Sequence, residues 1–193
     1  MDKILLEEVF KDFKNIYDSI LNAFYPSLGS TGFQERNLTV NFSKAYESVY
    51  EKDTVFSWFE LQFGDKKNNH FDCLIINETR KEVFLIESKR FTNTTSKKSS
   101  VSFDIKRIND FVVGGMDDRF KRYSGYKVYG LILADVWTEN NKKIDIYNSY
   151  KDESFFRKES LVANKRCQYN VLDFEIDGCK HGYALLSFVW EIR

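Results

Sequence analysis

The chain has 193 residues and a mass of 22.9 kDa, the size of one domain, and its 18 Phe, 11 Tyr and 3 Trp within 42% hydrophobic and 30% charged residues supply a core and exclude disorder, collagen and coiled coil. Lys+Arg and Asp+Glu both number 29, so no global basic excess advertises nucleic acid. No run approaches the roughly 18 apolar residues of a transmembrane helix, and the charged start MDKILLEEVFKDF is unlike a signal peptide, so the expectation is a soluble, cytoplasmic protein with no membrane partner.

Residues 3–24 place Leu5, Val9, Phe13, Ile16, Ile20 and Phe24 at spacings of three and four, which predicts an amphipathic helix stopped by Pro26 and Gly29. A second helix is expected from Thr31, whose hydroxyl caps while Gln34 reaches back, with Leu38, Phe42, Ala45 and Val49 on one face and an end near Glu51. Three strands follow over 55–63, 71–77 and 83–91, and the short polar connection at Asn77–Glu82 makes the last two an antiparallel hairpin. The polar stretch 92–100 reads as a loop; Ile105, Ile108 and Val112 then mark a short helix over about 101–113, broken at Gly114-Gly115. Lys127–Trp137 contains VYGLILADVW, so hydrophobic throughout that it predicts a central strand covered on both faces. Residues 152–163 read as a helix, and 169–176 and 183–192 as two closing strands around Asp177-Gly178. Fold class is therefore α/β, a mixed central sheet flanked by helices, in one domain with no internal repeat or linker.

Chemistry concentrates in His70-Phe71-Asp72 and Val83-Phe-Leu-Ile-Glu87-Ser88-Lys89-Arg90. Residues two apart on a strand share a face roughly 6 to 7 Å apart, so Glu87 pairs with Lys89, and the hairpin brings Asp72 beside Glu87. Charges at the end of so apolar a strand are costly unless paired or bound to a metal. Two converging carboxylates with no His/Cys cluster suit a hard cation, Mg²⁺ or Mn²⁺, and the Lys89 ammonium suits a phosphate oxygen. That combination fits hydrolysis of a phosphodiester, among the slowest of uncatalysed biological reactions.

At these residues the chain resembles the PD-(D/E)XK nuclease superfamily, with Asp72, then Glu87-Ser88-Lys89, as its D…ExK signature. Phe71 stands where the motif's name has proline. The resemblance spans residues 31–137 and implies a restriction-endonuclease-like αβββαβ core, with an N-terminal helix in 1–30 and a C-terminal extension in 138–193. It also implies a Mg²⁺-dependent nuclease acting on nucleic acid, DNA in preference to RNA, and often a symmetric homodimer. A further implied feature is an acidic residue on the helix before the sheet. With Leu38 at 0°, Phe42, Ala45 and Val49 lie within about 40°, Glu35 near 60° and Glu47 near 180°, so Glu35 is assigned as the third carboxylate and Glu47 faces solvent.

Residues 1–60 hold six Lys/Arg against ten Asp/Glu, a balance of −4, whereas residues 89–128 hold ten against four, a balance of +6. Lys97, Lys98, Lys106 and Arg107, with Arg119, Lys121 and Arg122, are the candidate phosphate contacts, and Tyr123, Tyr126 and Trp137 the candidate base-stacking rings. Other readings remain: Asp72, Glu87 and Lys89 as a structural ion pair, Glu35 as a helix-dipole partner, His70 as an aid to the site or, more often, a polar strand end, and Glu60 as a surface or edge residue in preference to a metal neighbour. A chain that keeps the fold without the catalysis, binding nucleic acid or a partner protein, is the alternative to an enzyme. Cys73, Cys167 and Cys179 have no paired spacing, so neither a disulfide framework nor, with His181, a zinc site is expected.

Overall fold

A computed structural model describes residues 3–23, 34–64, 69–91, 94–116, 118–138, 167–174 and 182–193. Helix α1 (Lys3–Ala23) buries Leu6, Val9, Phe10, Phe13, Tyr17 and Leu21. Ile16 and Ile20 flank this stripe, so its centre lies along Phe13, Tyr17 and Leu21. Helix α2 (Glu35–Val49) starts later than expected. Its N-cap is Gln34, in extended conformation with no side-chain cap hydrogen bond, and Thr31 lies outside the described residues. Glu35 in the first turn complements the positive end of the helix dipole instead. Leu38, Phe42 and Ala45 are buried, as their spacing requires, and Glu47 is exposed, accepting a hydrogen bond from Ser57 Oγ at 2.8 Å.

The strands are β1 (Val55–Gln62), β2 (His70–Asn77), β3 (Glu82–Arg90), β4 (Lys127–Thr138), β5 (Cys167–Phe174) and β6 (Gly182–Glu191). They form one six-stranded sheet in the order β1-β2-β3-β4-β6-β5. β3 and β4 pair in parallel and the other neighbours antiparallel, so the sheet is mixed and mostly antiparallel. The parallel step is bridged by α3 (Thr94–Val113) and a short 3-10 helix, Asp118–Tyr123. The expected loop over 92–100 is therefore helical from Thr94 onward. The 152–163 helix falls outside the described residues.

The sheet is the middle of three layers. On one side α1 and α2 pack on Cys73, Ile75, Phe84, Ile86, Leu131 and Leu133. On the other, α3 sets Val101, Ile105, Ile108 and Val112 on Leu74, Ile76, Val83, Leu85 and Ile132. β4 is interior and buried on both faces, which explains its unbroken apolar run. No helix among the described residues is long and apolar enough to cross a membrane. Cys73 is a buried free thiol, and burial pushes its pKa up to about 12, far from a reactive thiolate.

Candidate active site

The register of β2 and β3 runs as far as Cys73↔Ile86. Immediately beyond it lie Asp72 and Glu87. Asp72 Oδ2 accepts hydrogen bonds from the Ser88 backbone N–H and Ser88 Oγ, both at 2.7 Å, so a side chain replaces the ladder carbonyl where the two strands part. The neighbouring pair of strands is interrupted at the same level. β1 and β2 match at Phe59↔Cys73 and again at Leu61↔Phe71, which leaves Glu60 opposite Asp72. Glu60 sits in the left-handed region at φ 54°, an uncommon and costly conformation for a residue with a Cβ. Side-chain alternation reverses there: Phe59 and Cys73 pack on the α1/α2 side, Leu61 and Phe71 on the α3 side. Ligand atoms of Glu60, His70 and Asp72 consequently lie within 4.8 Å of one another, with His70 Nε2 at 3.3 Å from Glu60 Oε2.

Glu87 continues the Val83, Leu85 face and points at α3, where it is 1% exposed. Arg107 of α3 reaches its Oε1 at 2.5 Å and also Asp104 Oδ1 at 2.9 Å. Lys89 lies 2.8 Å from Asp104 Oδ2 and 3.9 Å from Glu87 Oε2. Burial, then the charges of Asp72 and Asp104, hold the Glu87 carboxyl well above the usual carboxylate range, against the opposing pull of Arg107 and Lys89. Burial works against the Lys89 ammonium, but Asp104, Glu87 and Asp72 outweigh it and raise its pKa. Lys89 is thus a fixed cation and not a base at neutral pH.

Asp72, Glu87 and Lys89 lie at the same end of the β2–β3 pair: Lys89 is 3.9 Å from Glu87, and Asp72 accepts hydrogen bonds from Ser88, which stands between them in the chain. Asp104 and Arg107 complete the cluster. Arg107, a candidate phosphate contact by sequence, instead turns inward to the carboxylates; Lys106 is exposed, and the side chains of Lys97 and Lys98 lie outside the described residues. Asp104 had a visible signal: it occupies the i+3 place of the apolar stripe Val101, Ile105, Ile108, a carboxylate on a buried face.

Glu35 lies elsewhere. Its Oε1 accepts the Arg90 backbone N–H at 2.7 Å, and like Glu87 it lies outside the close group of Glu60, His70 and Asp72. Arg90 faces the α1/α2 side, where its guanidinium lies 3.4 Å from Asp135 Oδ2 and the Tyr183 hydroxyl donates to the same oxygen at 3.3 Å. Asp135 Oδ1 is buried without a hydrogen bond, and desolvation pushes the Asp135 pKa up from 3.8 to about 6 despite Arg90. Because the folded pKa is raised, the folded state holds a proton that the unfolded chain has lost between pH about 4 and about 6. This group therefore costs stability as pH rises through that window, by roughly 3 kcal/mol in full. Asp135→Asn is expected to gain on the wild type from pH about 4 to about 6 and to run parallel above it. Urea unfolding across that range checks this; a flat difference between the two proteins contradicts it.

No protein-family model, curated protein or solved structure matches the chain. The functional reading is therefore carried by the site alone.

Proposed function

We propose that the protein is a metal-dependent nuclease that hydrolyses phosphodiester bonds, DNA in preference to RNA, on a restriction-endonuclease-like core formed by α2, β1–β3, α3 and β4. The observation that carries this reading is the gathering of Asp72, Glu87 and Lys89 where β2 and β3 part. The order helix, three antiparallel strands, helix, parallel strand is in keeping with it.

The donor set fits a divalent cation. Asp72, Glu87 and Asp104 are three acidic groups against the two positive charges of Lys89 and Arg107, and burial first, then Asp72 and Asp104, raises the Glu87 pKa. Asp72 and Glu87 would hold Mg²⁺ or Mn²⁺, with Glu60 and His70 beside Asp72. The ion, when bound, polarises the scissile phosphate and acidifies a water. The chain's own residues do the rest. Lys89, protonated and held by Asp104, stabilises the negative charge that develops on phosphoryl oxygens. Ser88 fixes the Asp72 carboxylate through two hydrogen bonds, so the ligand is oriented before any ion arrives. Glu35, bonded to the Arg90 backbone, positions the end of β3.

The test is cleavage of labelled single-stranded and duplex DNA and of RNA with Mg²⁺ or Mn²⁺, against a chelator control. Metal-dependent cleavage supports the reading; no cleavage of any of the three contradicts it. One observation favours a noncatalytic nucleic-acid-binding or assembly protein: Arg107 already occupies Glu87 Oε1. Calorimetry decides between them, since that alternative requires nucleic-acid binding without Mn²⁺ binding.

A further inference from the structure

β1 is an edge of the sheet. On it Phe56 and Trp58 lie opposite Ile76 and Leu74, residues of the α3-side core, so both rings are on that face. Helix α3 does not cover them: Phe56 is 37% and Trp58 60% exposed. A lone surface aromatic needs no explanation, but two on one face, two residues apart, form a continuous apolar strip. The strip leads into the site. Glu60 is the next residue but one after Trp58, roughly 6 to 7 Å along the strand, and its carboxylate is in the close group with Asp72.

Basic side chains outnumber acidic ones in the short helix beside the strip, Arg119, Lys121 and Arg122 against Asp118. The 3-10 helix Asp118–Tyr123 lies on the same side of the sheet, and its basic residues span β1 and the β2–β3 turn. Arg119 donates to the Gln62 carbonyl at the end of β1 at 2.8 Å, and Arg122 pairs with Glu78 in the turn. Lys121 between them in the chain is exposed and lies 3.0 Å from Asp118 Oδ1. This helix belongs to the 89–128 stretch whose balance is +6. Of the aromatics that the sequence singled out, Tyr123 is buried and Tyr126 half-buried, and the Trp137 side chain is outside the described residues.

We infer that Trp58 and Phe56 are a stacking platform for the bases of a single strand, with the basic 3-10 helix taking its phosphates and the strand led from Trp58 past Glu60 to Asp72 and Glu87. This rests on the phosphodiesterase reading for its direction and narrows the substrate to unpaired nucleic acid. Ring faces stack on bases only where those bases are free of a partner strand, whereas phosphate contacts alone serve single strands and duplexes alike.

The experiment is anisotropy of a labelled oligo-dT and of a duplex with the full chain in chelator, where no metal-dependent cleavage occurs. Trp58→Ala is expected to weaken oligo-dT binding on the order of tenfold or more and to leave duplex binding unchanged, while Trp58→Phe retains most of the affinity. Oligo-dT is also expected to quench tryptophan emission in the wild type and not in Trp58→Phe. Equal oligo-dT affinity of wild type and Trp58→Ala overturns the platform. So does a dimer that Trp58→Ala dissociates in sedimentation without any change in oligo-dT binding, because the strip then serves a second copy. Loss of binding in Trp58→Ala with no cleavage by the wild type under Mg²⁺ keeps the platform and removes the nuclease. Cleavage of single strands by Trp58→Ala with unchanged KM removes the platform and keeps the nuclease.

Discussion

Glu87→Gln is expected to reduce Mg²⁺-dependent phosphodiester cleavage on the order of 10³-fold or more while leaving the protein folded. The side chain is 1% exposed, so ionising it there costs far more than at the surface. Burial and the neighbouring Asp72 and Asp104 push its pKa up, against the pull of Arg107 and Lys89. Glutamine keeps the shape and an oxygen that accepts from Arg107, now 2.5 Å from Glu87 Oε1. Arg107 and Lys89 both retain Asp104, at 2.9 and 2.8 Å, so no buried cation is stranded and stability should change by no more than about 1 kcal/mol. What the variant loses is a ligand charge. Initial rates on a labelled oligonucleotide, with urea unfolding as the control, check both halves. Unchanged cleavage by a folded Glu87→Gln protein removes Glu87 from the chemistry.

Gly130→Ala is expected to be the most damaging single-methyl change in the sheet, costing about 3 kcal/mol or more. Gly130 pairs with Trp190 across β4 and β6. A Cβ at this position would stand 2.5 Å from Trp190 Cη2 and closer still to the ring fusion. The indole has nowhere to go. Trp190 is fully buried, its ring stacks on Phe188 at 5.4 Å, and Nε1–H donates to Asn109 Oδ1 of α3 at 3.0 Å. Glycine here answers to space, because the ring lies flat over the backbone of the central strand. The clash predicts its own rescue: Trp190→Leu should lower stability alone but lessen the cost of Gly130→Ala when the two are combined. Urea midpoints of the four proteins check this; a Gly130→Ala protein as stable as the wild type contradicts the packing.

Helices α1 and α2 and all six strands were legible in the sequence, because the helices carry an apolar stripe and the strands short apolar runs bounded by polar turns. The Asp72, Glu87 and Lys89 group was legible for a related reason: charges on VFLI-like strands stand out against their carriers. Arg107 was misread. A basic residue on a helix looks solvent-facing until the helix is docked, and only the packing of α3 on β3 turns it toward Glu87. The first turns of α3 were hidden because TTSKKSS has no apolar stripe and weak helix propensity. Glu35 shows the reach of wheel geometry: it does turn toward the sheet, but the wheel cannot say how far along β3 it lands, and it meets Arg90. The paired break at Glu60 and Asp72 was not legible, since strict alternation hides a reversal common to two strands. Asp135 was concealed inside an apolar run whose length said only that the strand was central.

The central claim is that Asp72 and Glu87 form a divalent-cation site beside Lys89. Anomalous diffraction from crystals soaked in Mn²⁺ tests it most directly. The expected map has a manganese peak in contact with carboxylate oxygens of both residues, with the Arg107 guanidinium moved off Glu87 Oε1. A map with no peak there, and Arg107 still seated on Glu87, contradicts the claim.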